Sequence, residues 1–139
     1  MRAAEAAIRG ERSGDAVRLL HEALAAASAP AERRRAELLL AQAYVSDPRW
    51  RRYGLTLLRE LASGPSPDGG ALVLLGSVYR REGLLARAEA TLTRALEQNP
   101  GDAAARRELS LVREDRGAAL PPQRHGWADW VMRHVGRAR

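Results

Sequence analysis

The side chains that could do chemistry are few. The histidines are His21, His125 and His134, and no two of them share the three- or four-residue spacing that sets two metal ligands on one helical face. Each reads as a surface or cap residue. Cysteine is absent, so no thiolate is available for catalysis or metal binding and no disulfide can form. The glycine-rich Asp68-Gly69-Gly70 follows no strand and lacks the lysine of a phosphate-cradling loop. No nucleophile elbow occurs, and carboxylate pairs such as Glu114-Asp115 fall on a charged helical face. The sequence thus assigns no catalytic, metal or cofactor-binding residue, and no enzyme or small-molecule substrate is expected.

What remains is chemistry of binding. All 23 basic residues are arginines, against 17 acids, for a net charge of +6. They are dispersed, as in Arg18 near Glu22 and Arg87 near Glu89, which describes a solvated surface and disfavours a nucleic-acid footprint. The complete absence of lysine reads as a coding bias. Near the C-terminus, Trp127, Trp130, Val131, His134 and Val135 fall at i, i+3, i+4, i+7 and i+8, one apolar stripe of a short helix. Three uses of that stripe stay open. It could pack back on the preceding helices, anchor in a partner's groove through its tryptophans, or lie weakly on an anionic membrane surface. It is too short to span a bilayer.

These residues must be carried by helices. Apolar residues are 45% of the 139, mostly Ala and Leu, with no Phe and Ile only at position 8. No run approaches the eighteen apolar residues of a membrane span, and Met1 to Gly10 lacks a secretory core, so a cytoplasmic protein is expected. The sequence also repeats. Tyr44 and Tyr79, like Leu40 and Leu75, lie 35 apart, while Gly54 and Ala88, Leu58 and Leu92, and Leu61 and Ala95 lie 34 apart.

The clearest unit is Gly69 to Pro100. Leu72, Leu75, Gly76 and Tyr79 stripe one helix, Gly83 breaks it, and Leu85, Ala88, Leu92, Ala95 and Leu96 stripe the next before Asn99-Pro100-Gly101. Small side chains at Gly76 and Ala88 would let the two helices approach closely. In the preceding unit Leu40-Ala41 and Tyr44 match. There Asp47-Pro48 is expected to start the second helix, with Trp50, Tyr53, Leu57, Leu58 and Leu61 on its apolar face. Residues 63–70 form a loose connection where a bend could sit. A first unit shows a second helix through Ala16, Val17, Leu20, Ala23 and Leu24. Only about two turns of Ala-rich helix precede that stripe, by the spacing of 3.6 residues per turn. Asp102 is expected to cap a further helix striped by Ala105, Leu109 and Val112.

The pattern Leu72-x-x-Leu75-Gly76-x-x-Tyr79, Ala88-x-x-x-Leu92 and Pro100 resembles the tetratricopeptide repeat, with Leu in place of the family's Trp and Phe. The resemblance implies an all-α, right-handed superhelix of antiparallel helix pairs. It divides the chain into a repeat domain at 1–116, with units near 1–30, 31–67 and 69–100 and a capping helix at 102–116, followed by a linker and tail at 117–139. It also implies a concave groove for a protein or peptide partner, lined by Arg35, Leu38, Gln42, Val45, Val73, Ser77, Arg80, Arg107 and Leu111. The carboxylate clamp of one family branch is not evident, because places such as Gly70 and Leu74 are small or apolar. An adaptor or scaffold is therefore expected. The alternatives are a small secretion-type chaperone, and arginine-mediated binding to nucleic acid or anionic membrane.

Overall fold

The computed structural model describes Arg2 and residues 13–119, and the described residues form helices with no strand. In order they are α1 (Ser13–Ala26), α2 (Pro30–Ser46), α3 (Arg51–Leu61), α4 (Gly69–Arg81), α5 (Leu85–Gln98) and α6 (Ala103–Ala119). None is long and apolar enough to cross a membrane. The Ala-rich stretch before Ser13 and the tail residues Trp127, Trp130, Val131, His134 and Val135 lie outside the described residues.

Local chemistry sets most of the boundaries. Ala29 is extended ahead of Pro30, which occupies the first turn of α2, where its missing N–H costs nothing. Asp68 Oδ1 accepts from Ala71 N at 2.9 Å to start α4, and Asp102 Oδ1 accepts from Ala104 N and Ala105 N at 2.9 and 3.0 Å to start α6. Helix α4 ends in a Schellman turn. Leu84 N donates to Tyr79 O at 2.9 Å and Gly83 N to Arg80 O at 3.0 Å, while Gly83 takes φ +75°, which side-chain-bearing residues rarely adopt.

Neighbouring helices pack in sequence order, and α4 also touches both α2 and α6. Two clusters fill the interior. The larger joins α2 to α6 through Ala41, Leu58, Leu72, Leu75, Ala88, Leu92, Ala105 and Val112. The smaller holds α1 to α2 through Ala16, Leu20, Leu40 and Ala43, and Leu57 packs against both. Among the described residues no polar or charged residue is buried.

The helix pairs approach closely by a glycine and an alanine that exchange places. In the α4–α5 pair the glycine is Gly76, where a β-carbon would lie 2.5 Å from Leu92 Cγ, and the alanine is the fully buried Ala88. In the α2–α3 pair the alanine is Ala41, on the first helix, and the glycine is Gly54, on the second. The repeated tyrosines join successive units. The Tyr44 hydroxyl lies 3.2 Å from His21 Nε2 on α1, and Arg59 Nε on α3 donates to the Tyr79 hydroxyl at 3.4 Å.

Several expectations are corrected. Asp47 does not cap α3: α2 ends at Ser46, a turn follows, and the Asp47 carboxylate accepts from Arg49 N at 2.9 Å within it. Trp50 therefore sits in that turn, 47% exposed, and Tyr53 on the outer side of α3, 63% exposed, while Gly54 and Leu58 face the core. Helix α6 continues through Gly117 to Ala119. The connection after α3 is tied down: Asp68 N donates to Leu61 O at 2.8 Å, and Gln98 Nε2 on α5 to Pro67 O at 3.3 Å.

Candidate functional site

Where α2, α4 and α6 run side by side they enclose a hollow of about 560 Å³. Leu38 on α2 and Val73 and Leu74 on α4 supply its apolar wall. Leu38 lies close over the bare backbone of Gly70, where a β-carbon would come within 2.7 Å of Leu38 Cδ2. Gln42 and Ser77 add polar groups deeper along the groove, and Asp102, Arg107 and Glu108 form the rim on α6. The repeat explains the alignment. Leu38, Val73 and Arg107 follow one another at 35 and 34 residues, so one register position on three alternate helices, α2, α4 and α6, points into one space.

The charges in the hollow are mostly already engaged. Asp102 caps its own helix. Glu108 accepts from Arg80 Nε at 3.2 Å, and Arg80 Nη1 also reaches Asp115 at 3.3 Å. Burial works against the Arg80 charge, but the carboxylates of Asp115 and Glu108 outweigh it, so the guanidinium holds its proton more tightly than a free arginine. Ser77 donates its hydroxyl to Leu74 O at 2.9 Å and keeps its lone pairs for a ligand donor. Arg107 is exposed and makes no ion pair among the described residues.

Of the positions expected on the groove, Leu38, Gln42, Val73, Ser77 and Arg107 line this hollow. Val45 does not: it is 4% exposed within the larger core, because the bare backbone at Gly54 lets α3 close over it. Arg80 is not a free groove cation either, since it straps α4 to α6. Arg35 is exposed and Leu111 half-buried, both outside the hollow's lining. Gly70 and Leu74, noted in the sequence only as places where a carboxylate clamp is missing, line it as well, and Asp102, Ala103, Ala104 and Glu108 were not expected there. Asp102 carried only the signal of a helix cap, and Leu74 sits one position off the buried stripe of Leu72 and Leu75.

A second hollow, of about 380 Å³, opens between α1, α2 and the turn at Asp47–Trp50, with Val17, His21 and Tyr44 in its lining. Trp50 stands over it between Tyr44 and Tyr53, at ring-centroid distances of 6.0 and 5.6 Å. Among the described residues no group of three or more His, Cys, Asp or Glu is placed to hold a metal ion.

Compared with known families, residues 70–112 match the model described as Tetratricopeptide repeat. Neither the curated proteins nor the solved structures gave a match. The matched stretch runs from Gly70 in the lining of the first hollow to Val112 in the core face of α6. The hollow is thus walled largely by the stretch that matches the tetratricopeptide repeat, and the all-helical array of the described residues is consistent with a repeat of that type.

Proposed function

We propose that the chain is an adaptor that holds a segment of another protein in the hollow between α2, α4 and α6. The repeat type supports this, since such repeats generally build binding scaffolds. The observation that carries the reading is the pairing of an apolar wall, Leu38 and Val73, with the exposed guanidinium of Arg107 across the same space. That combination suits an extended or helical segment that inserts an apolar side chain and sets a carboxylate beside it. The other charges of the hollow favour the same polarity, because Asp102 and Glu108 already have partners.

The test is affinity capture with mass spectrometry on the wild-type chain and on a Val73→Glu, Arg107→Glu double variant. Both side chains face the hollow and neither belongs to the fully buried core, so the variant keeps its helix content. Partners specific to the groove are lost from the variant. Equal recovery of every partner would place the binding surface elsewhere.

A further inference from the structure

A hollow of about 460 Å³ lies at the opposite end of α6 from the groove rim, between the α4–α5 turn and the last turn of α6. We propose that it is the seat of this chain's own C-terminal segment, Trp127 to Val135. The lining is apolar where it matters: Leu84 and Leu85 from the turn, with Ala86 and Ala119 beside them. Leu84 is 39% exposed and belongs to neither core cluster. The Schellman turn fixes it there, since its N–H closes α4 onto Tyr79 O while Gly83 reverses the chain. A leucine held outward by backbone geometry leaves apolar surface that a neighbouring segment can cover.

The occupant is indicated by where the chain goes next. Ala119 itself lines the hollow, and twenty residues follow it (139 − 119). Pro121-Pro122 offers no backbone N–H and disfavours continuation of a helix. Residues 120–126 then span at most roughly 23 Å, at about 3.3 Å per residue, before Trp127. A tether of that length holds the stripe near the hollow at an effective concentration on the order of millimolar, so even weak affinity keeps it seated. The stripe of Trp127, Trp130, Val131 and Val135 supplies an apolar face for Leu84, since Leu85 already packs against the larger cluster.

Charge alone does not select this seat, since residues 120–139 carry four arginines against one acid. Arg87 and Arg116 flank the hollow, but Arg116 is already held by Glu89. The tail's one acid, Asp129, lies between its two tryptophans, where it can meet Arg87. The groove hollow is a poorer seat, because Arg107 is twelve residues from Ala119. At 1.5 Å per residue that is about 18 Å back along α6, a span that leaves the linker nearly taut.

Tryptophan emission of the full chain tests the proposal. Trp50→Phe, at a half-exposed site, leaves Trp127 and Trp130 as the only indoles. In that background the emission is expected to be blue-shifted from that of the denatured chain and shielded from acrylamide, independently of protein concentration. Leu84→Asp is expected to shift it to the red and restore quenching. Ala86→Glu, in the exposed first turn of α5, should do the same while favouring the helix electrostatically, which separates loss of docking from loss of folding. Water-like emission in the Trp50→Phe chain would overturn the proposal, as would insensitivity to both variants. A blue shift that depends on concentration, or one abolished by Val73→Glu instead, would assign the tail to a second copy or to the groove and overturn it equally.

Discussion

At Gly54 a β-carbon would lie 2.6 Å from Val45 Cγ1, 2.8 Å from Val45 N and 2.9 Å from Tyr44 Cβ, so part of the obstruction is backbone and cannot rotate away. At Gly76 the neighbours are all atoms of one side chain, Leu92, the nearest 2.5 Å away. Alanine within a helix ordinarily gains about 1 kcal/mol over glycine, whereas overpacking a filled core costs roughly 1–3 kcal/mol. Both Gly54→Ala and Gly76→Ala are therefore expected to lower the urea midpoint, and Gly54→Ala by more. A midpoint that rises in either variant would show that the helix pair has room to relax. Asp47 illustrates a second residue-level effect. Hydrogen bonds from the Arg49 backbone N–H and guanidinium hold its carboxyl below the ordinary 3.8. A depressed folded-state value contributes stability above the unfolded pKa and loses it as pH falls through the folded one. The Arg49 amide resonance should accordingly titrate below pH 3.8 in the folded chain, and a midpoint at or above that value would show the turn is not closed.

Between elements, the α4–α6 contact combines apolar packing with a charged strap. The side chains of Arg80 and Glu108 are 23% and 21% exposed, which makes this pair less open to solvent than the others that join helices. Arg80→Ala is expected to cost about 1 kcal/mol, at the upper end for exposed pairs because it leaves Glu108 half-buried without its cation. Faster hydrogen exchange should follow, concentrated in α6 and absent from α1. Exchange unchanged in α6 would mean that Ala105, Leu109 and Val112 hold the helix alone. The helices and their pairing were legible in the sequence because the burial stripes and the small residues recur at 34 or 35. The strap was not legible. Arg80 and Val45 occupy the same register position, yet one is tied to two carboxylates on the next helix and the other is covered over a glycine. Periodicity gives the position of a residue, and only the neighbour's bulk and charge decide what faces it. Trp50 and Tyr53 were misplaced for a related reason: hydrophobicity pointed inward, while the turn at Asp47 delayed α3 until Arg51.

Across the whole molecule, stability is divided unequally between the two apolar clusters. The larger reaches over five helices, whereas α1 contributes two buried residues, Ala16 and Leu20, to the smaller one, with Val17, Leu19 and Leu24 partly buried against it, and packs on α2. In a linear array each unit draws stability from its neighbours, so an element with few fully buried residues opens at lower free energy. Native-state hydrogen exchange is expected to be fastest in α1, slower in α2 and slowest in α4 and α5, where Leu72, Ala88 and Leu92 are completely buried. Leu57 is the side chain packed against both clusters, and its removal should act on their coupling more than on either alone. Leu57→Ala is thus expected to widen the gap, speeding exchange in α1 and the first half of α2 while α5 stays close to wild type. Uniform acceleration in all helices would instead show that the described chain opens as one cooperative unit, with the groove hollow and α1 rising and falling together.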